Sequence, residues 1–335
     1  MHPPRVSVLL PYRNAEGTIR EALESVLADR SAPTEIVVVN DGSSDGGPTC
    51  VEDLARREPR IRHVHTDGIG IARALAYAAA VARAPFLARM DGDDVSLPGR
   101  FGKQLDVLED DPALGVVAAR VECFPVENVG EGLRRYVSWQ NALVTPEEHR
   151  NAMFVEAPVC HPAVMMRREA LDRSGGYRSV PWPEDYDLWL RMDTAGCRFR
   201  KVPDVLLRWR HSDGRATFAD ARYALERFRD AKADHLAARL ARMERPVVVW
   251  GAGPTGRRLA RALESRGVRA QAFVDVDPRK LGRIARGATI VPPEALRMGA
   301  QTILAAVGAR GARDSIRQYL DARGYREGDD YLCAA

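Results

Sequence analysis

The chain has 335 residues, of which 45% are hydrophobic and 29% are charged, and its formal net charge is +4 at pH 7. This length allows two or more hydrophobic cores, and no apolar run approaches the ~18–20 residues that span a membrane. The arginines are spread along predicted helices instead of forming one basic patch, which argues against a nucleic-acid-binding protein.

The compartment follows from the start of the chain and from its cysteines. The opening MHPPRVSVLL has a short apolar stretch without the small-residue cleavage site of a secretory signal, so we expect a cytoplasmic protein. The five scattered cysteines form no CxxC pair and indicate neither a zinc site nor a disulfide framework. Loose attraction to an anionic membrane surface or to phosphate-bearing substrates fits the small positive charge.

The first hundred residues alternate short apolar runs with helical periodicity. The predicted strands are RVSVLL, EIVVVN, IRHVH and FLARM, and the predicted helices between them are TIREALESVLA, TCVEDLARRE and ARALAYAAAVAR. Strand–helix alternation predicts a parallel sheet with right-handed crossovers. Ligands of such open sheets bind at the carboxyl ends of the strands.

Three polar clusters directly follow three of these strands. They read PYRNAE after the first strand, NDGSSD after the second and DGDD after the fourth. Because the strands are predicted to be parallel, all three clusters should lie at one edge of the sheet. This coincidence predicts a functional site there.

The DGDD segment brings three carboxylates together, those of Asp91, Asp93 and Asp94. Carboxylates that crowd one another are destabilised by their mutual repulsion. A hard divalent cation such as Mg²⁺, which takes carboxylate and phosphate oxygens, would explain the crowding. An Asp-rich turn that caps the helix beginning near Pro98 is the alternative structural explanation.

The pattern is less regular after residue 114. The segments GVVAARVECF and HPAVMMR are predicted strands, PEDYDLWLRMDTAG is a predicted helix, and FRKVPDVLLRWR is predicted to be extended. Glu184 and Asp185 lie in the first turn of that helix, where the helix dipole favours acids. A carboxylate there could equally act as a general base on an incoming hydroxyl.

The last ninety residues begin a new strand–turn–helix unit. GAGPTG at 251–256 fits the G-x-G-x-x-G fingerprint of dinucleotide sites, and Asp275 ends the next predicted strand. The candidate cofactor residues are Gly251, Gly253, Gly256 and Asp275, with NAD(P) as the cofactor that the fingerprint would imply. Binding of another nucleotide, or a purely packing or oligomerisation role for these glycines, stays open.

Five segments together resemble the family-two inverting glycosyltransferases of the GT-A fold. In order, they are VSVLLPYRNAEGTIREALESVL, EIVVVNDGSSDGG, GIARALAYAAAVARAPFLARMDGDD, PEDYDLWLRM and LLRWRH, within residues 5–215. The resemblance implies an α/β architecture with a GT-A nucleotide-diphospho-sugar transferase domain at 1–215. A helical linker at 216–244 and a smaller Rossmann-like α/β domain at 245–335 would follow it.

The resemblance also implies which residues bind the nucleotide-sugar donor. Pro11, Tyr12 and Asp41 match positions that hold the nucleotide base, and Arg73 matches a position beside the nucleotide. Asp91 matches the first acid of the family's Asp-x-Asp motif, near the ribose and the metal. One departure is Ala74, where relatives often carry Asn.

The resemblance further implies the metal ligands and the catalytic base. Asp93, together with Asp91, would hold Mn²⁺ or Mg²⁺, and His211 matches a late basic position near the metal or the diphosphate. Asp185 matches the catalytic base; Asp187 is its rival, although two positions apart on a helix they point in different directions. His161 and Trp182 either line the acceptor side or belong to the core, a choice left open.

These expectations amount to a metal-dependent inverting glycosyltransferase. It would move one sugar from a nucleotide-diphosphate sugar, which we expect to be UDP-linked, to an acceptor hydroxyl. The acceptor would be a glycan, a lipid-linked molecule or a small molecule. The enzyme would act in the cytoplasm or at the inner face of the membrane. The chain contains no Gln-x-x-Arg-Trp segment, which is typical of processive synthases. We therefore expect the addition of a single sugar. An NAD(P)-dependent sugar oxidoreductase and a non-catalytic nucleotide-sugar sensor are the alternatives, and a homo-oligomer stays open.

Overall fold

The computed structural model describes residues 3–211 and 220–335. The chain divides into two compact units by its internal contacts. The first unit runs to His149 and resumes as Val159–Ala221, and the second comprises Arg150–Pro158 and Arg222–Ala335. The short segment at 150–158 therefore leaves the first unit and packs within the second.

The first unit is built on an eight-stranded sheet with the strand order β3-β2-β1-β4-β7-β6-β8-β5. The strands are β1 Val6–Tyr12, β2 Thr34–Asp41, β3 Ile61–Thr66, β4 Phe86–Arg89, β5 Val95–Ser96, β6 Leu114–Phe124, β7 Val164–Arg167 and β8 Arg198–Arg210. β1, β2, β3 and β4 are mutually parallel, as the sequence predicts. β7 joins β4 to β6 in antiparallel pairs, and β6 pairs with β8 in parallel.

The helices of this unit pack around the sheet, several of them through apolar stripes. They are Ile19–Ala28, Gly47–Ala55, Ile71–Val81, Arg100–Asp110, Glu131–Ala142, Pro146–Ala152, Arg168–Arg173 and Glu184–Thr194. In the first of them Ile19, Ala22, Leu23 and Val26 are all buried, which is the i, i+3, i+4, i+7 pattern of an amphipathic helix. They join Val8, Leu10 and the other inward-facing strand residues in one hydrophobic core.

The register of the parallel strands fixes where the site lies. Leu9 of β1 pairs with Arg89 of β4, and Tyr12 pairs with Asn40 of β2. The carboxyl ends of β1, β2 and β4 are therefore neighbours, and the polar segments that follow them share one edge of the sheet. This placement agrees with the prediction from strand order.

The second unit has its own six-stranded sheet, in the order β11-β12-β10-β9-β13-β14. The strands are β9 Val247–Trp250, β10 Ala270–Val274, β11 Ile284–Ala285, β12 Ala288–Val291, β13 Thr302–Ala305 and β14 Tyr331–Cys333. Only the β11–β12 pair is antiparallel among the described residues. The helices are Leu225–Met243, Pro254–Glu264 and Ala312–Asp321.

The helix that the sequence predicts as a linker belongs to this second unit. It begins at Leu225, and residues 216–219 of the predicted linker lie outside the described residues. Arg266 donates to the carbonyl oxygen of Asp230 at 3.0 Å, and Lys232 donates to the carbonyl oxygens of Val155 and Ala334, each at 2.9 Å. These contacts tie the helix into the second unit along much of its length.

Within the described part of the chain, no helix combines the length and the apolar character that crossing a bilayer requires.

Candidate active site

The loops that follow β1 and β2 are locked together by side chain to backbone hydrogen bonds. Asn14 Oδ1 accepts from the Ser44 amide at 2.9 Å, and Ser43 Oγ accepts from the Asn14 amide at 2.9 Å. Asp45 Oδ2 accepts from the Glu16 amide at 2.8 Å. Asn, Ser and Asp side chains commonly form such hydrogen bonds to nearby backbone amides. Here these bonds hold the two loops together.

Tyr12 ends β1 and is only 5% exposed. Its hydroxyl lies 3.0 Å from His63 Nε2 of β3. Burial, followed by the nearby carboxylates of Asp45 and Glu52, raises the pKa of the Tyr12 phenol above its usual range. The phenol is therefore neutral, and its ring lies at the floor of the edge that the resemblance assigns to the nucleotide base.

Asp41 ends β2, and its carboxylate is largely occupied by the next loop. Oδ1 accepts from Thr66 Oγ1 at 2.7 Å and from the Ile69 amide at 2.7 Å, while Oδ2 accepts from the Gly70 amide at 2.8 Å. A carboxylate offers about four acceptor positions, so one remains for a ligand. Asp41 therefore holds this loop in place, and the sequence alone did not predict that role.

That loop leads into the helix Ile71–Val81. Arg73 is exposed in its first turn, and Ala74 is buried on the opposite side. Pro11 is buried inside β1 beside Val39, so it can contribute a ring face or its backbone but no amide hydrogen. Asp41 therefore indirectly places Arg73 at the same sheet edge.

The acidic loop follows β4 and packs against β1. A Cβ at Gly92 would lie 3.0 Å from Tyr12 Cβ and 3.2 Å from Ile19 Cδ1, so the backbone approaches these side chains as closely as glycine allows. Thr18 Oγ1 donates to the Gly92 carbonyl oxygen at 2.9 Å. The loop is thereby fixed at the sheet edge beside Tyr12.

The three carboxylates converge as the sequence predicts. One oxygen from each of Asp91, Asp93 and Asp94 lies within 4.8 Å of the others. Three carboxylate oxygens are a donor set that suits Mg²⁺ or Mn²⁺. The residues therefore fit a divalent ion, and His211, which directly follows β8, does not belong to this group of ligand atoms in the described structure.

Two arginines offset the negative charge of this loop, and the sequence analysis missed both. The Arg89 side chain is 3% exposed and forms an ion pair with Asp91 through Nη1 and Oδ2. Arg210 donates its backbone amide to Asp94 Oδ1 at 2.8 Å and its Nε to the Asp93 carbonyl oxygen at 2.6 Å. An arginine inside the otherwise apolar run APFLARM was the available signal for Arg89.

Asp185 lies in the first turn of the helix Glu184–Thr194, where its Oδ1 accepts from the Tyr186 amide at 2.7 Å. Burial and the adjacent Glu184 carboxylate raise the pKa of Asp185 well above that of an ordinary aspartate. A carboxylate with a raised pKa is a stronger base near neutral pH. Asp185 therefore has the electrostatic environment of a general base.

Asp187 has a different environment. Its Oδ1 accepts from Trp182 Nε1 at 3.1 Å, and its Oδ2 accepts from Arg191 Nε at 2.7 Å. Oδ2 is thus held in a buried ion pair and Oδ1 in a hydrogen bond to a neutral indole, and both contacts fix the helix. This geometry favours Asp185 over Asp187 as a proton acceptor.

The alternatives for His161 and Trp182 now separate. His161 is 6% exposed, with Nε2 3.1 Å from Tyr177 Oη and its ring edge-on to Trp189 at 5.6 Å. It belongs to the core beneath the site. Trp182 is partly exposed and positions Asp187.

In the second unit, the glycine loop and Asp275 are tightly packed. A Cβ at Gly251 would lie 2.6 Å from the Ala306 carbonyl oxygen, and one at Gly256 would lie 2.0 Å from the Gly251 carbonyl oxygen, whereas Gly253 faces open space. Asp275 Oδ2 accepts from the Ala252 amide at 3.1 Å and from Lys280 Nζ at 2.9 Å. These contacts account for Gly251 and Gly256 by close packing alone.

Acids and a phenol therefore lie at the ends of neighbouring parallel strands, and Asp185 lies on a separate helix. The model of "Glycosyl transferase family 2" matches residues 7–175, which is half of the chain. The chain belongs to this family, and it is a glycosyltransferase.

Curated relatives match about three fifths of the chain. The chain is 30% identical over 213 residues to the "Putative glycosyltransferase EpsE" of Bacillus subtilis, covering 62% of this chain and 73% of EpsE. It is 27% identical to the UDP-Gal:alpha-D-GlcNAc-diphosphoundecaprenol beta-1,3-galactosyltransferase of Escherichia coli, covering 62% and 75%. It is 30% identical to the amylovoran biosynthesis glycosyltransferase AmsE of Erwinia amylovora, covering 61% and 75%.

Solved structures share the fold at low sequence identity. TarS 1-349 of S. aureus in complex with UDP-GlcNAc superposes with a TM-score of 0.55 at 18% identity, covering 69% of this chain and 66% of that one. The mannosyltransferase PcManGT of Pyrobaculum calidifontis, in complex with GDP-Man and Mn²⁺, gives 0.52 at 20% identity, covering 80% and 74%. The first unit therefore has an α/β GT-A-like fold.

Proposed function

We propose that this protein transfers one sugar from a nucleotide-diphosphate sugar to a hydroxyl group, with inversion and with a divalent metal. The observation that carries the proposal is the pairing of two kinds of carboxylate. Asp91, Asp93 and Asp94 form a compact oxygen cluster, whereas Asp185 has a raised pKa and, among the described residues, no ion pair like the one between Asp187 and Arg191.

The donor would bind along the edge formed by the ends of β1, β2 and β4. Tyr12 and Asp41 would contact the base, with Pro11 behind them and Arg73 beside the nucleotide. We expect a UDP-linked donor, because two similar proteins are described with UDP-Gal and UDP-GlcNAc, whereas a third is described with GDP-Man.

Asp93 and Asp91 would hold Mn²⁺ or Mg²⁺, with Asp94 fixing the loop through Arg210. The bound ion neutralises charge that develops on a diphosphate leaving group. Arg89 sets the position of Asp91 from below. His211 directly follows β8 and is not one of the three clustered acids, so we assign it to the surroundings of the metal or the diphosphate.

Asp185 would accept the proton of the acceptor hydroxyl as that oxygen attacks the anomeric carbon. One displacement inverts the configuration, and no nucleophilic carboxylate is required on the other face. A glycan or lipid-linked acceptor is supported by a relative whose acceptor is a diphosphoundecaprenol. An acceptor of that kind would place the enzyme at the inner face of the membrane.

The second unit is proposed to be a Rossmann-like domain with a packing role. Its mostly parallel sheet and the GAGPTG turn support the fold, and the close contacts of Gly251 and Gly256 support packing over NAD(P) binding. Bound NAD(P) would have to displace Lys280 from Asp275, because that carboxylate is already paired.

The test is a screen of nucleotide sugars, read by release of free UDP or GDP with and without Mn²⁺. We expect metal-dependent release from one donor, and its loss in Asp93→Asn and Asp185→Asn. Full turnover in both variants would refute the assignment. An absorbance change with NAD(P)H and a sugar would favour the oxidoreductase instead.

A further inference from the structure

A second group of side chains that can bind a metal lies at β3, the edge strand of the first unit's sheet. Glu52 of the helix Gly47–Ala55 and two histidines of β3, His63 and His65, each offer one ligand atom, and these atoms lie within 4.8 Å of one another. β3 is separated from β4 by β2 and β1, a distance of roughly 14 Å at about 4.8 Å per strand. The group is therefore distinct from the acidic loop.

The alternation of a β-strand brings the two histidines together. Residues two apart project from the same face of the sheet, and the His63 and His65 rings have centroids 4.3 Å apart. The helix Gly47–Ala55 contributes Glu52 from the exposed side. Two imidazoles and one carboxylate are a donor set typical of transition-metal sites.

His63 carries an atom that the rest of the fold leaves unexplained. Its Nδ1 is buried and has no hydrogen-bond partner among the described residues. Buried polar atoms in native proteins almost always have a partner, so such an atom indicates a water or an ion. When the ring proton is on Nε2, Nδ1 carries a lone pair that such an ion can accept.

The other nitrogen of His63 is oriented by Tyr12. Nε2 lies 3.0 Å from the Tyr12 hydroxyl, which remains a neutral phenol. When Nε2–H donates to that oxygen, Nδ1 becomes the free lone pair. A hydrogen bond of this kind on the outer nitrogen is the usual support of a metal-bound histidine.

We infer that Glu52, His63 and His65 form a binding site for a zinc-class divalent ion. Tetrahedral bonds of about 2.0–2.2 Å place ligand atoms roughly 3.4 Å apart, so the group must contract on binding. Glu52 and His65 are both exposed, which leaves room for their side chains to adjust. His65 Nδ1 lies 3.2 Å from Asn40 Nδ2, and this contact must break when His65 binds the ion. It breaks if Nδ1 itself becomes the metal ligand or if the imidazole ring rotates.

Co²⁺ titration of the metal-free full-length chain tests this site, because tetrahedral Co²⁺ absorbs visible light. We expect one equivalent of absorbing Co²⁺ that Zn²⁺ displaces. His65→Gln and Glu52→Gln should weaken binding by at least about 10–100-fold, as the loss of even an outer partner does. Both positions are exposed, so these variants should fold, which circular dichroism checks.

Matched controls separate this site from others. Asp53→Asn, next to Glu52, and His235→Gln, in the second unit, should bind Co²⁺ as the wild type does. Asp93→Asn should also keep the band, since it removes only a ligand of the acidic loop. The inference is overturned if no Co²⁺ band forms at a several-fold excess, or if His65→Gln and Glu52→Gln bind as tightly as the wild type.

Discussion

Arg89 lies beneath the acidic loop and forms a buried ion pair with Asp91. The Arg89 side chain is 3% exposed. Burial acts against its charge, but the Asp91 carboxylate outweighs that effect and raises the pKa of the guanidinium. The same cation also acts on Asp185 and Tyr177, so one buried charge influences both the proposed metal loop and the proposed base.

Removing this cation should destabilise the protein strongly. Arg89→Met leaves Asp91 without its buried partner, and we expect a loss of about 3–5 kcal/mol in the free energy of unfolding, measured by urea denaturation. The control is Arg20→Met, which breaks an exposed pair with Glu24 at 3.8 Å and should cost at most about 0.5 kcal/mol. Equal effects of the two substitutions would contradict the role of Arg89.

Asp185→Asn should abolish transfer without abolishing donor binding. A general base contributes about 10²–10⁴-fold, so kcat should fall by that factor while the dissociation constant for UDP in calorimetry stays near the wild-type value. Asp187→Asn provides the contrast, because it weakens the bonds with Arg191 and Trp182. We expect it mainly to lower the melting temperature. The reverse pattern would make Asp187 the base.

The pH profile follows from the environment of Asp185. A base must be ionised to accept a proton, so kcat/KM should fall as pH drops through the raised pKa of Asp185, above the value of about 3.9 for an exposed aspartate. Burial of Asp185 is the larger cause of its raised pKa, and the negative charge of Glu184 is the second. Glu184→Gln removes the neighbouring negative charge, and the acid limb should move to lower pH. A limb that stays in place would show that another group titrates.

Gly92→Ala should damage the site through shape alone. The new Cβ would lie 3.0 Å from Tyr12 Cβ, a rigid neighbour, so the loop or the tyrosine must shift. We expect weaker metal-dependent donor binding and a fall in kcat/KM smaller than the about 10²-fold that a 1 Å misplacement causes, because the contact requires only a smaller shift. Gly132→Ala is the control, since nothing lies within 4 Å and alanine favours a helix. Unchanged kinetics in Gly92→Ala would remove the loop from the mechanism.

The sequence was sufficient for much of the fold of the first unit. Hydrophobic periodicity placed the helix Ile19–Ala28 and the first four strands, and the parallel order followed from alternation. It did not predict the helices Glu131–Ala142 and Pro146–Ala152, in which few residues are buried. Nor did it predict that β7 pairs antiparallel to β4, because such pairing is set by distant segments.

The site was predictable to the level of individual carboxylates but not of their partners. The spacing of Asp91, Asp93 and Asp94 is visible in the sequence, which predicts their proximity and offers both a metal site and a helix-capping turn as explanations. The structure adds an internal cation, Arg89, and the amide of Arg210 as further stabilisation. Asp41 likewise required the structure, because its partners Ile69 and Gly70 lie about 30 residues further along the chain.

The most direct measurement for the central claim is Mn²⁺ electron paramagnetic resonance of the protein with UDP. Binding of Mn²⁺ removes the free-ion signal, and we expect one equivalent to bind in the wild type when UDP is present. Asp91→Asn combined with Asp93→Asn should abolish that binding, whereas Asp106→Asn, on an exposed helix face, should leave it unchanged. Wild-type Mn²⁺ binding in the double variant would contradict the account.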